Sequence, residues 1–261
     1  MRPNPVQQAL RHGRPVLSGW LTAGHPLVAE ALAHAGFDAV TVDQQHGAVD
    51  DAELLSALQA LSTTDTVPLV RVAWNEPGRI MKALDLGAYG VIAPMIEGAD
   101  DVRALVSACR YPPRGRRSYG PTRAAFYGGP DYAAEANDTV LAIAMIETRA
   151  ALNALDEVLS VPELDMVFVG PADLSQALGG PPGADFRDGP VPDALDHLLE
   201  RAAAHGVPAG IFCKSPAYAR EMLARGFGFV TADTDLGHLR ARANEVVAAV
   251  RDGAEAGSTG R

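Results

Sequence analysis

Ala142-Ile143-Ala144-Met145-Ile146-Glu147 and, one unit further on, Met166-Val167-Phe168-Val169-Gly170-Pro171-Ala172-Asp173 carry the reading of this chain. Each is an apolar run that stops at a carboxylate. A run this short, bounded by turn residues, reads as a parallel strand covered on both faces. Glu147 and Asp173 then stand just past the carboxyl ends of neighbouring strands, and on a barrel that rim is where active sites are built. Two carboxylates side by side repel each other unless a cation lies between them. Hard oxygen ligands of this kind suit magnesium or manganese. The bland alternative is a pair of solvated loop acids.

Outward from these two segments the same alternation repeats. Strands are expected at Val16 to Leu21, Ala39 to Asp43, Val67 to Val72, Gly90 to Ala93, Val140 to Ile146, Asp165 to Val169, Pro208 to Phe212 and Phe229 to Ala232. Amphipathic segments such as Asp51 to Leu61 and Val102 to Cys109 lie between them, and Gly36, Gly87, Gly206 and Gly226 end helices ahead of strands. Eight strands in alternation with helices give an α/β protein, a (β/α)8 barrel in one domain over residues 1–253, with a disordered tail over 254–261. The 261 residues match the ~250 that such a barrel needs. A doubly wound open sheet is the alternative, but no Gly-x-Gly-x-x-Gly follows the first strand. Tyr111 to Tyr132 and Leu178 to Pro192 read as long connections, which in a compact domain are usually functional or mobile.

Bulk properties exclude several classes. A net charge of -10 argues against nucleic acid or an anionic membrane as partner. No apolar stretch reaches the ~20 residues of a bilayer span, and Met1-Arg2-Pro3-Asn4-Pro5 opens no signal peptide. Cys109 and Cys213 are the only cysteines and form no disulfide framework, so a reduced, cytoplasmic protein is expected.

The remaining strand ends become rim positions. The second strand runs out through Asp43-Gln44-Gln45-His46-Gly47; taken alone, His46 is more often a packing histidine than a base. Arg71, flanked by Leu69, Val70 and Val72, must point into the barrel top or bear a heavy desolvation cost. Its bland reading is a structural ion pair. Asp85 lies near a helix C-terminus, an electrostatically poor place for an acid, so it is either well exposed or paired, with His46 or Arg71 the natural partners if the chain folds back toward them. Trp20, after the first strand, is either rim packing or a substrate wall.

Several of these pieces stand in a familiar order and spacing: Asp43-Gln44-Gln45-His46-Gly47, Val70-Arg71-Val72, Ala83-Leu84-Asp85-Leu86-Gly87-Ala88, Ala93-Pro94-Met95, Arg110-Tyr111-Pro112-Pro113-Arg114-Gly115-Arg116-Arg117, Ile146-Glu147-Thr148 and Gly170-Pro171-Ala172-Asp173-Leu174-Ser175. Together they resemble the HpcH/HpaI-type, 4-hydroxy-2-oxoheptanedioate aldolase family of metal-dependent pyruvate aldolases, on a TIM-type barrel of the phosphoenolpyruvate/pyruvate-domain kind. The resemblance runs from Gly19-Trp20 to the last helix. It implies that Glu147 and Asp173 hold a divalent cation (Mg2+, Mn2+ or Co2+), that His46 takes part in proton transfer with Asp85 orienting it, and that Arg71 contacts the keto oxygen. It also implies a hexamer in which a terminal helix packs on a neighbour.

The chemistry so implied is reversible aldol cleavage of 4-hydroxy-2-oxo acids to pyruvate or hydroxypyruvate plus an aldehyde, a carbon-carbon lyase reaction through a metal-stabilised enolate. Arg71 would place fixed charge where the enolate oxygen develops, and His46 would move the proton, directly or through water. Trp20, Gln45, Arg71, Gly170, Pro171, Ala172 and Asp173 are the expected substrate contacts, with the backbone N–H groups of Ala172 and Asp173 seating the donor carboxylate. Two departures from the family stand out: Gln45 where glutamate is common, and Ser118 in place of glycine. The loop with Arg114, Arg116, Arg117, Tyr119 and Arg123 would reach an anionic acceptor or form a solvated or subunit surface. Rival readings are a decarboxylase or acyl-coenzyme A lyase on the same barrel, and a Schiff-base aldolase using Lys214 beyond the seventh strand.

Overall fold

The computed structural model describes residues 1–258, with side chains described through Arg251. The tail expected over 254–261 lies outside the residues described in full. The chain opens with α1 (Pro5–Arg11), β1 (Val16–Leu21), α2 (Pro26–Ala33), β2 (Ala39–Asp43), α3 (Asp51–Leu61), β3 (Val67–Arg71), α4 (Pro77–Asp85) and β4 (Gly90–Ala93). It continues through α5 (Ala99–Cys109), α6 (Thr122–Gly128), α7 (Tyr132–Thr139), β5 (Leu141–Ile146), α8 (Arg149–Asn153), α9 (Leu155–Leu159) and β6 (Met166–Val169). The last elements are α10 (Pro171–Ala177), α11 (Pro190–His205), β7 (Ala209–Ile211), α12 (Pro216–Arg225), β8 (Phe229–Thr231) and α13 (Asp235–Ser258).

The eight strands form one closed parallel barrel in chain order, with β1 pairing both β2 and β8. Every residue of β2 to β8 is buried, and in β1 only Leu17 is exposed. Strands sealed on both faces need no polar alternation, which is why they read as continuous apolar runs. Each expected strand falls within one residue of the observed bounds.

Local chemistry sets the helix starts. Asp50 and Glu53 form a reciprocal capping box at α3, and Pro77, Pro171 and Pro216 occupy first-turn positions where no N–H is missed. At the amino end of the barrel, Asn4 caps α1 and its amide donates to Tyr89 O and Thr139 O, just ahead of β4 and β5. The expected long loop from Tyr111 to Tyr132 is in fact interrupted by α6. Only seven residues long and bounded by Pro121 and Gly129, that helix is too short for apolar periodicity to register.

Candidate active site

The carboxyl ends of the strands enclose a cavity of about 250 Å³ lined by Trp20, His46, Arg71, Pro171, Asp173 and Phe212, among others. On one wall, Arg71 at the end of β3 forms a two-point ion pair with Asp43 at the end of β2. Its Nε donates to Oδ1 at 2.9 Å and its Nη2 to Oδ2 at 2.6 Å. Both side chains are buried, and the fork-to-carboxylate match is what makes a buried charge pair tolerable. Trp20 Nε1 also donates to Asp43 Oδ2 at 3.2 Å, while the Trp20 ring faces the guanidinium at 4.9 Å. Burial alone would raise the Asp43 pKa; the Arg71 pair and the Trp20 bond outweigh it and hold the carboxyl below its usual range. With Nε and Nη2 engaged, the third arm, Nη1, meets only Met145 Sδ at 4.0 Å among protein atoms.

Asp43 Oδ1 also accepts the backbone N–H groups of Gln45 and His46 at 3.0 and 3.3 Å, so the same carboxylate shapes the turn that presents His46 to the cavity.

The two acids that opened the sequence reading follow β5 and β6. Glu147, 2% exposed, accepts the Met95 N–H through Oε1 at 2.8 Å, while its Oε2 is buried without a hydrogen-bond partner. Met95 adopts φ 55, a left-handed conformation that costs a side-chain-bearing residue on the order of 1–3 kcal/mol and here aims its N–H at the acid. Burial pushes the Glu147 pKa up to about 7; the Met95 bond opposes the rise and the Asp173 charge adds to it. Asp173 sits in the first turn of α10 and lines the cavity. Gly170, between them, is a close approach: a Cβ there would overlap Glu147 Oε2 and lie 2.6 Å from Met145 Cε.

The structure therefore brings Trp20, His46, Arg71, Gly170, Pro171, Ala172 and Asp173 to one cavity, with Glu147 buried beside it. It does not bring Asp85. That residue ends α4, at the opposite end of the barrel, and accepts Arg117 Nη2 at 2.8 Å instead of meeting His46 or Arg71. The reason is topological: α4 leaves the rim after β3 and returns its C-terminus to the amino end of β4. The basic loop goes with it. Arg117 is buried against Tyr111 and Tyr132, Arg114 pairs with Glu163 and Asp138, and Arg123 donates to Leu86 O and Leu58 O. Gln45 is not among the cavity-lining residues; its Oε1 is buried without a partner. Lys214 Nζ pairs with Asp233 at 2.6 Å on an exposed side chain and does not line the cavity.

Sequence reasoning passed over Asp43, Thr22, Met145, Phe212 and Thr234 as site residues. Asp43 carried the same signal as Glu147, an apolar strand ending in an acid. Thr22 and Thr234 carried none, since a loop threonine has no pattern to read.

The sequence profile described as HpcH/HpaI aldolase/citrate lyase matches residues 17–241. A hydroxypyruvate/pyruvate aldolase of Rhizorhabdus wittichii is 46% identical over 248 residues, covering 95% of this chain and 99% of that protein. A 4-hydroxy-2-oxo-heptane-1,7-dioate aldolase of Salmonella dublin is 38% identical over 260 residues, with 98% and 97% covered. Among solved structures, an HpcH/HpaI aldolase/citrate lyase family protein from Burkholderia cenocepacia J2315 superposes with a TM-score of 0.89 at 33% identity, over 95% of this chain and 99% of that one. Barrel, rim chemistry and a match along nearly the whole length agree, and the chain belongs to the HpcH/HpaI aldolase/citrate lyase family.

Proposed function

We propose that this barrel is a carbon-carbon lyase that cleaves 4-hydroxy-2-oxo acids reversibly to pyruvate or hydroxypyruvate and an aldehyde, with a divalent cation as cofactor. The observation that carries the reading is the gathering of a guanidinium and two acids at one cavity. A fixed guanidinium with one free arm and Asp173 line it, and a buried acid with an unpartnered oxygen stands against Gly170 at its edge.

The donor set fits a divalent ion. Glu147 Oε2 lacks a protein partner, Asp173 is close enough to raise the Glu147 pKa, and both are hard oxygen donors. Among the described residues no cluster of three or more His, Cys, Asp or Glu forms a closed cage. Two carboxylates leave coordination positions for substrate, as an ion acting on a 2-oxo acid requires. Bound there, the cation would supply Lewis-acid stabilisation of the enolate; magnesium, manganese and cobalt all accept such ligands.

The chain's own groups supply the rest. Arg71 Nη1 is the free arm for the keto oxygen, and because Asp43 fixes the other two nitrogens the charge needs no reorientation as the enolate forms. His46 lines the same cavity and is the proton carrier, drawing the proton from C3 of pyruvate in the addition direction and from the C4 hydroxyl in cleavage. The first-turn N–H groups of Ala172 and Asp173, ahead of the first α10 bond from Leu174 N to Gly170 O, are the seat for the donor carboxylate. Trp20, stacked on Phe168 at 5.6 Å and edge-on to Phe212 at 5.5 Å, walls the donor site against water. Asp85 has no part in this site within one chain.

Retro-aldol pyruvate release tests the reading. Activity lost with EDTA, restored by a divalent ion and insensitive to borohydride is the expected result; metal-independent activity trapped by borohydride would transfer the chemistry to Lys214. Replacing Arg71 by Ala should lower turnover about 100-fold, the scale of removing one electrostatic donor, with metal binding retained; full activity in that variant removes the enolate role.

No helix among the described residues is long and apolar enough to cross a membrane. We infer a cytoplasmic homo-oligomer, a hexamer by family resemblance. Leu236, Leu239, Val246 and Val250, spaced to share one side of α13, are all exposed and fit packing against another copy.

A further inference from the structure

The first and last strands of the barrel meet over a short seam. β8 has only three residues, and its register with β1 ends at Ser18↔Thr231, so Gly19 to Leu21 run on toward the rim with no β8 residue beside them. The N–H groups of Thr22 and Ala23, just past the end of β1, must find acceptors outside the sheet. Asp235, the first residue of α13 and 6% exposed, supplies them. Its Oδ1 accepts Thr22 N at 2.9 Å and Thr22 Oγ1 at 2.6 Å, and its Oδ2 accepts Ala23 N at 3.0 Å. A single carboxylate ties down the segment that leaves β1.

The anchored segment is the one on which the His46 turn rests. Thr22 O accepts Ala48 N at 2.8 Å. Gly47 packs so closely that a Cβ there would overlap Asp43 O and lie 3.1 Å from Thr22 O. His46 is thus held from two sides: by Asp43 through its backbone N–H, and by Thr22 through Gly47 and Ala48. The Glu147, Asp173 and α10 wall has no share in this chain of contacts. The hydrogen bonds of Asp235 go to Thr22 and Ala23, on the His46 side of the cavity.

We propose that Asp235 is a positioning residue for His46, acting through Thr22 and Ala48, so that it governs the rate of proton transfer and not the binding of the 2-oxo acid. This rests on the aldolase reading, with His46 as proton carrier. Hydroxyl, amide and carboxylate chemistry together predict a graded series. Asp235→Ala removes all three acceptors. Asp235→Asn keeps an oxygen for Thr22 but presents an NH2 group, which cannot accept, to Ala23 N.

Exchange of the pyruvate C3 protons with deuterium, followed by NMR on the metal-loaded enzyme, reads proton transfer without any aldehyde. The expected kcat for exchange falls about tenfold in D235A and about threefold in D235N, a misplacement effect, while the KM for pyruvate stays within about twofold of wild type. A purely structural role would lower the thermal midpoint and leave exchange per folded protein unchanged; that result overturns the proposal, as does an equal loss in both variants or a loss carried by KM. If D235A does not fold, the threefold kcat effect of D235N at constant KM decides alone. Wild-type enzyme that neither exchanges pyruvate nor cleaves a 4-hydroxy-2-oxo acid would instead refute the aldolase reading, so the two failures are separable.

Discussion

Asp43 concentrates more of the site than any other side chain. It orients Arg71, takes the Trp20 N–H and forms the His46 turn, all from a buried position. Asp43→Ala would leave the Arg71 guanidinium buried and unpaired, a loss on the order of 3–5 kcal/mol. A fall of that size in urea-denaturation stability, together with lost turnover, is the expected outcome. Glu147 works in the opposite sense. Its pKa is raised from 4.5 to about 7, so the folded protein holds a proton that the unfolded chain releases. Ionising Glu147 therefore opposes folding, and metal-free stability should drop as pH rises from about 4.5 to 7, then level off. Glu147→Gln keeps an oxygen for Met95 N–H and removes the charge. Its metal-stripped thermal midpoint should exceed that of wild type at pH 8 and match it at pH 4.5. A wild-type midpoint no lower than that of the variant at pH 8 would contradict this account.

At the scale of elements, the strands were legible because burial on both faces leaves an uninterrupted apolar code, and their ends were legible because an acid or arginine must break it. That is why Glu147, Asp173, Arg71 and His46 could be placed on one rim from residue order alone. What stayed hidden depends on geometry that no pattern records. The pairing of Arg71 with Asp43 is a cross-strand contact between the last residues of β2 and β3, and the departure of Asp85 follows from the direction of α4. The β6–α10 junction gives this scale its own prediction. A methyl group at Gly170 would overlap Glu147 Oε2 and press on Met145, so Gly170→Ala should displace the acid and weaken divalent-ion binding by about 10- to 100-fold, measurable by calorimetry. Unchanged affinity would mean that the Glu147 oxygen does not face the ion.

For the whole molecule, the rim does not complete itself at the last strand. β8 stops early, and α13 both repairs the seam through Asp235 and carries the apolar side of Leu239, Val246 and Val250 away into solvent. A helix of 24 residues reaches about 36 Å, far more than the seam requires. Light scattering should report an assembly of several 27.3 kDa chains, and Val246→Asp combined with Val250→Asp should shift it toward smaller species. The same helix therefore has its root beside the reaction chamber and its stem in the proposed contact between copies. If both proposals hold, proton transfer and assembly share one mechanical part. On serial dilution the specific activity should fall in step with dissociation, because a helix released from its neighbour no longer holds still the carboxylate that steadies the histidine.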